Sequence, residues 1–434
     1  MIFINKPQIY GIFSEATISR KPLWYSDMSF VSIQVNPAIR LTNQKKALKD
    51  NAYNNESSNL FVHGALENGI VGVGNDFNLD TAYQKAYSEA VERMSSFLML
   101  EKDIVTEIPH KLEDNGIYYK IPHSNIDKNL MISFTNVIPL ARSKKESPVL
   151  YPATHVYMGV SNQTCCHESL STGKAAHVSQ DKALVSGALE LVERDSFVLF
   201  WLSRSGFTEI DHVRYFTNKS ISKIFAETSR ADISIRLYDI TTDLLVPSIL
   251  CYINQSAFPY NLISTASGLT YEDAIEHCLS EIMLGLISYT LVTESVIHDQ
   301  LLSSIESTSD DVSLFPNGGP IRFHSDWYAC DPGKSEAFDF LNTNRDKHLA
   351  PYRGTEFTGL RDLVTHLQKK GINMYYKNID ASHLSCGGRF VVSVVSPDLV
   401  PLYNSERHRP LDNLRLIRRI GESGSLNEWP HPFP

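Results

Sequence analysis

The chain is poor in cysteine, with six in 434 residues (Cys165, Cys166, Cys251, Cys278, Cys330 and Cys386) and no CxxC pair among them. That scarcity excludes a disulfide framework and a paired-thiolate metal site, and predicts reduced thiols in a cytoplasmic protein. Long apolar runs are also lacking. The most apolar stretches, around Phe197 to Leu202 and Ile282 to Val292, fall well short of the roughly 18 residues that cross a bilayer. The opening MIFINKPQIYGIF has no basic segment, sustained apolar run and small-residue cleavage site of a secretory signal. Positive charge is not in excess: the formal net charge of -9 argues against an electrostatic grip on nucleic acid or an anionic membrane. Two nucleotide signatures are missing as well, since no GxxxxGK followed by Ser or Thr occurs and GVGNDF does not complete GxGxxG.

What remains is the composition of an ordinary globular protein, 42% hydrophobic, 10% aromatic and 21% charged. At 434 residues, one large or two intimate domains are expected. The Asn- and Ser-rich KDNAYNNESSN marks a boundary, giving an N-terminal extension over 1–60 and a main domain over 61–434. Within the latter, short apolar strand candidates (MISFTNVIPL, VLYPATHVYMGV, ISIRLYDIT, PSILCYIN, YNLISTAS, GINMYYKNI) alternate with helices near 79–98, 180–202, 271–290 and 360–370. This is an α+β pattern of repeated strand-turn-helix units. Residues 301–325, rich in Ser, Asp, Gly and Pro, read as an exposed loop. GRFVVSVVSPDLVPLY reads as a central strand stopped by proline, and the final NEWPHPFP as an extended tail, because its prolines lock φ and remove donors.

The strongest internal signal is a threefold recurrence: a glycine turn followed by a glutamate inside a helix. Gly74 leads to Glu89, Glu92 and Arg93; Gly173 leads to Ser186, Glu190, Glu193 and Arg194; Gly268 leads to Glu281, without the second acid or the arginine. Such self-similarity predicts units that pack on one another. One Glu-x-x-Glu-Arg is ordinarily an ion pair on a solvated helix face. Repeated at similar spacing, it predicts several carboxylates near a common centre, a set that suits Mg²⁺ and, through the arginine forks, phosphate.

These residues resemble the YcaO family, and most closely its azoline-forming cyclodehydratases, the D proteins of thiazole- and oxazole-modified peptide biosynthesis. AYSEAVERM, STGKAAH with SGALELVERDSF, ASGLTYEDAIEHCLSEI, FVVSVVSPDLVPL and the terminal PHPFP carry the resemblance, which covers roughly 60–434. It implies a YcaO-like fold whose helices converge on ATP and Mg²⁺. Glu89, Glu92, Glu190, Glu193 and Glu281 are then the metal-holding positions, with Ser186, Arg93 and Arg194 joining them around the nucleotide. It implies a catalytic or orienting carboxylate at Pro434, at the end of the Pro-x-Pro-x-Pro tail. The implied substrate is a ribosomally made precursor peptide. The implied partner is an E1-like, leader-binding protein, since the first 60 residues are too short for a fused recruiting module. A flavin-dependent dehydrogenase and a homodimer are left open. One departure is that IMLGLISY stands where the family carries Gln and Arg after the third glutamate. A thioamide- or amidine-forming enzyme and a non-catalytic ATP-binding scaffold are the alternatives.

Four weaker candidates remain. The Cys165, Cys166 and His167 run is read as loop or core, and His177 as a hydrogen-bonded structural residue. Arg389 is equally a surface group or an active-site group, and Arg407, His408 and Arg409 are read as solvated charge.

Overall fold

The computed structural model describes residues 2–4, 16–20, 27–34, 60–62, 71–114, 129–141, 148–158, 170–211, 217–290, 322–342, 355–380, 388–403 and 406–433. The chain divides into two compact units. The first comprises Met1–Arg20, Ser29–Ala188 and Val364–Asp398; the second comprises Lys21–Met28, Leu189–Leu363 and Leu399–Pro434.

In the first unit, strand Val71–Asp76 closes a four-stranded antiparallel sheet with Ser29–Gln34, Ala16–Arg20 and Ile2–Ile4. A second, six-stranded sheet runs in the order Lys174–His177, Phe390–Val395, Tyr375–Asn378, Ile132–Pro139 and Ile104–Glu107, with Val149–Pro152 also paired to Ile132–Pro139. FVVSVV is thus an interior strand, as its apolar character predicts, and it ends before Pro397. Helix Leu79–Ser96 starts where the Asn78 side chain accepts from the N–H groups of Asp80 and Thr81 at 2.8 and 3.2 Å. Ala82, Ala86 and Ala90, recurring every fourth residue, are fully buried against the first sheet. The glycines of VGVGND permit that approach. A Cβ on Gly72 would stand 2.2 Å from the Ala86 carbonyl oxygen, and one on Gly74 would stand 2.3 Å from that of Ala82.

The second unit is built on an antiparallel sheet in the order Thr208–Glu209, Ile235–Asp239, Ser248–Asn254 and Asn261–Ser267. Helix Tyr271–Thr290 covers it with Ile275, Cys278, Leu279 and Ile282, all buried. The long helix Gln180–Ser203 is apolar around most of its circumference in this unit. Accordingly Val192, Phe197, Val198, Trp201 and Leu202 are all buried.

All three strand-turn-helix units are present: Val71–Asp76 with Leu79–Ser96, Lys174–His177 with Gln180–Ser203, and Asn261–Ser267 with Tyr271–Thr290. Two expectations are corrected. VLYPATHV is a strand only to Pro152 and a short helix over Ala153–Val156, because Pro152 has no N–H to extend the ladder and stands at the helix N-cap. The expected loop over 301–325 is helical from Arg322, where His324 and Ser325 are buried; residues 301–321 lie outside the described residues. No helix among the described residues is long and apolar enough to cross a membrane.

Candidate active site

In the first unit, the close glycine packing brings the Val73 backbone against the helix. Glu89 Oε2 accepts from Val73 N–H at 2.9 Å while its Oε1 meets Arg93 Nη2 at 3.4 Å. Burial raises the Glu89 pKa, opposed by Arg93 and the Val73 N–H. Glu92 lies half-buried on the same helix. Arg389 is packed onto this helix too, with Nε 2.8 Å from Ser88 Oγ and the guanidinium 4.6 Å from the centre of the Tyr87 ring, so it is no free surface charge. His177 Nδ1 accepts from Ser179 N–H at 3.0 Å, the structural role expected of it. Its pKa is lowered by burial, then by Lys182 and Arg389.

The second repeat turns at Gly173, in the left-handed region at φ 79°. Its carbonyl oxygen would stand 2.7 Å from a Cβ on Gly187, so the helix carries a glycine where it passes the turn. Ser186 is exposed on that helix, one turn before Glu190.

In the second unit the carboxylates gather. Arg194 Nη1 donates to Glu193 Oε1 at 2.8 Å and Nη2 to Glu190 Oε1 at 3.1 Å; Thr265 Oγ1, from strand Asn261–Ser267, donates to Glu193 Oε1 at 2.7 Å. Burial pushes the Glu193 carboxyl up to about 7; Arg194 and Thr265 oppose the rise, and the charges of Glu190 and Glu281 add to it. Glu281, exposed on helix Tyr271–Thr290, is therefore close enough to be felt at Glu193. The next residue, Asp195, is fully buried and fixed bidentately by Arg415 at 2.9 and 2.8 Å, which anchors the helix beside these acids.

The proline-rich tail reaches the same cluster. The Arg194 guanidinium lies 4.0 Å from the centre of the Phe433 ring, and Phe197 packs on that ring at 5.1 Å between centroids. An extended proline-rich segment cannot bond to itself, so its buried carbonyls need side-chain donors. Arg409 supplies Asn427 O at 3.1 Å and Glu428 O at 2.7 Å, Trp201 Nε1 supplies Trp429 O at 3.1 Å, and Tyr328 Oη supplies Pro430 O at 2.6 Å. Arg409 is thus a tail clamp that also pairs with buried Glu406, not the solvated charge expected from the sequence. His431 and Phe433 are buried, and burial pushes the His431 imidazole down to about 3, so it is neutral.

The structure therefore brings Glu190, Glu193, Arg194 and Glu281 together in the second unit, with Phe433 beside them. Glu89, Glu92 and Arg93 form their own group in the first. Pro434, Cys165, Cys166 and His167 lie outside the described residues, as does the Arg407 side chain. Thr265 and the donor role of Arg409 went unread. Thr265 is one hydroxyl in an apolar strand and leaves no sequence signal, whereas Arg409 was detectable only as the donor that a buried proline tail requires. The second-unit acids offer oxygen ligands, the donor type Mg²⁺ takes, and a carboxyl held near 7 is one that a divalent cation would ionise.

Comparison with known proteins agrees with this chemistry. Residues 71–400 match a family model described as YcaO cyclodehydratase, ATP- and Mg²⁺-binding. Among solved structures, the fold is similar to a heterocyclase in complex with substrate and cofactor (TM-score 0.64, 16% identity, 97% of this chain and 55% of that one). It is also similar to a YcaO protein from Methanopyrus kandleri bound with AMPPCP and Mg²⁺ (TM-score 0.56, 14% identity, 90% and 86% covered). A third similar structure is the E. coli microcin synthetase McbBCD complex (TM-score 0.60, 15% identity, 100% of both chains). The chain spans only about half the length of the heterocyclase. No curated protein matches. With most of its length matched by that model, the chain belongs to the YcaO family of ATP- and Mg²⁺-binding cyclodehydratases.

Proposed function

We propose that the protein is an ATP-dependent peptide cyclodehydratase, converting Cys, Ser or Thr of a ribosomally made precursor peptide into thiazoline or oxazoline with a separate substrate-recruiting protein. The observation that carries this reading is the pair Glu190 and Glu193 bound to Arg194, with the Glu281 charge acting on Glu193 and the Arg194 guanidinium stacked on Phe433 of the docked tail. The heterocyclase and microcin synthetase among the similar folds support the same reaction class.

ATP with Mg²⁺ supplies the phosphoryl group that makes the amide oxygen a competent leaving group. The chain's own residues do the rest. Glu190, Glu193 and Glu281 would hold the cation, with Glu89 and Glu92 the corresponding acids of the first repeat. Arg194, and Arg93 in the first repeat, would meet phosphate oxygens through their planar forks, with Ser186 on the nucleotide side. In the peptide, the thiol or hydroxyl attacks the carbonyl carbon of the preceding amide and gives up its proton; the amide nitrogen then loses its own as the bond from carbon to the phosphorylated oxygen breaks, phosphate departs and C=N forms. The tail, held by the contacts from Asn427 to Phe433, is in this reading the element that orients the reacting peptide beside the acids.

Mass spectrometry of a candidate peptide incubated with the chain, the recruiting partner, ATP and Mg²⁺ tests the reading. The expected outcome is loss of one water per ring; replacement of oxygen by sulfur would instead indicate thioamide formation. Glu190→Gln should lower turnover at least about 100-fold while the chain stays folded, the size expected when a charge-stabilising group is removed. Full activity in that folded variant would remove the acids from the mechanism.

A further inference from the structure

We infer that the second unit carries a metal site of its own beneath the tail, in which His324, Glu406 and His431 bind a transition-metal ion of the zinc class. The three residues come from separate parts of the chain: helix Arg322–Ala329, the short helical turn Glu406–His408, and the proline-rich tail. All three are buried, and one potential ligand atom from each lies within 4.8 Å of the others.

Outer contacts support a metal. His324 Nδ1 stands 3.1 Å from His431 Nδ1 and 2.8 Å from His431 Nε2, so the two imidazoles meet directly in the buried space, and an ion shared between them requires the rings to turn toward it. Nε2 is already committed, its N–H donating to Tyr403 O at 2.7 Å. That bond leaves the Nδ1 lone pair free for coordination, the arrangement usual for ligating histidines, whose second nitrogen is held by a carbonyl or carboxylate. Phe433 N–H at 3.3 Å and His324 Nδ1 at 3.1 Å are the groups an ion would displace from that lone pair. Glu406 is oriented in the same manner: Arg409 holds Oε2, and Oε1, which accepts from His431 N–H at 3.3 Å, is turned toward the tail.

Ligand chemistry separates this site from the acids around Glu193. Two imidazoles and one carboxylate suit Zn²⁺, Co²⁺ or Ni²⁺, whereas Mg²⁺ takes oxygen ligands and keeps its waters. Such an ion would tie residue 431 of the tail to residues 324 and 406 of the body. Its role would be structural, holding the tail in place.

The test is elemental analysis of the full chain, expressed with zinc and dialysed against metal-free buffer, followed by Co²⁺ exchange. About one zinc per chain is expected, with the visible ligand-field absorption of tetrahedral Co²⁺ after exchange. His324→Ala and Glu406→Gln should lower metal affinity at least about 10-fold. Glu190→Gln, in the acid cluster, should leave it unchanged. Less than about 0.1 equivalent of metal in folded wild-type chain, with no cobalt band, overturns the assignment and leaves the pair as a shared-proton contact. Undiminished metal in both folded ligand variants overturns it equally. If either variant fails to fold, the wild-type stoichiometry and cobalt spectrum still decide. Failure of peptide modification would leave this result untouched, because metal content is read without turnover.

Discussion

The same Glu-x-x-Glu-Arg is written twice in the chain, and its two copies stand in different surroundings. In the first, Arg93 is 38% exposed at its side chain and meets one carboxylate, Glu89, at 3.4 Å. In the second, Arg194 is 15% exposed, meets Glu193 at 2.8 Å and Glu190 at 3.1 Å, and lies over Phe433. Glu89 has a backbone donor, Val73 N–H, to steady its charge, whereas Glu193 has the Thr265 hydroxyl to steady it and two neighbouring carboxylates, Glu190 and Glu281, that work against it. Helical spacing alone makes the two motifs equivalent. The difference comes from what packs on each: a glycine strand presenting its backbone in one case, a hydroxyl-bearing strand and an aromatic tail in the other.

The comparison is most sharply broken at the arginines. Arg194→Ala leaves half-buried acids without their cation and removes the guanidinium from the Phe433 ring, so a loss of about 3–5 kcal/mol is expected, as when one partner of a buried pair is deleted. Arg93→Ala, at a half-exposed pair whose acid keeps the Val73 N–H, should cost about 1 kcal/mol or less. Denaturant unfolding of both variants measures the gap. Equal losses would mean that the two copies are energetically alike despite their surroundings.

A pH series comes next in size. Glu193 binds its proton more tightly folded than unfolded, so this group's contribution to stability is complete below its unfolded value of 4.5, declines as pH rises, and is lost above about 7. The shift corresponds to an upper bound on the order of 3 kcal/mol. Thermal unfolding should therefore show a falling contribution between pH 4.5 and 7 that Glu193→Gln abolishes. A cation that ionises the carboxyl works in the opposite sense, so the Mg²⁺-induced rise in Tm should be larger at pH 8 than at pH 6. In Glu193→Gln that pH difference should disappear. A pH-independent Mg²⁺ effect in the wild type would detach the cation from this carboxyl.

How much of this was legible follows from the range over which each signal acts. The helix over 79–96 was readable because alanine recurs every fourth residue, whereas the need for glycine in the strand against it shows only in the packing. The acids were readable because spacing within a helix and repetition of the unit are both local. The hydroxyl of Thr265 that meets Glu193 across 72 positions was not, nor was the contact of His324 with His431 across 107. Arg409 misled for the same reason: a charged cluster in a polar stretch reads as solvated until the donorless tail is seen folded over it.

The smallest effect compares the first repeat with the third through their glycines. Gly72→Ala would force a Cβ to within 2.2 Å of the Ala86 carbonyl oxygen and 2.3 Å of Ala90 N, both backbone atoms, so strand and helix must separate. A cost of about 1–3 kcal/mol is expected, as for other overpacking changes. Gly285, in the helix that carries Glu281, has no atom of the described residues within 4 Å of where its Cβ would lie. Gly285→Ala should then stabilise the chain by up to about 1 kcal/mol, since alanine is the better helix former and nothing is displaced. Both signs can be read from Tm shifts of the two variants. A loss of stability at Gly285 would mean that this face is covered by another surface in solution, and its glycine would then be a packing requirement like those of the first repeat.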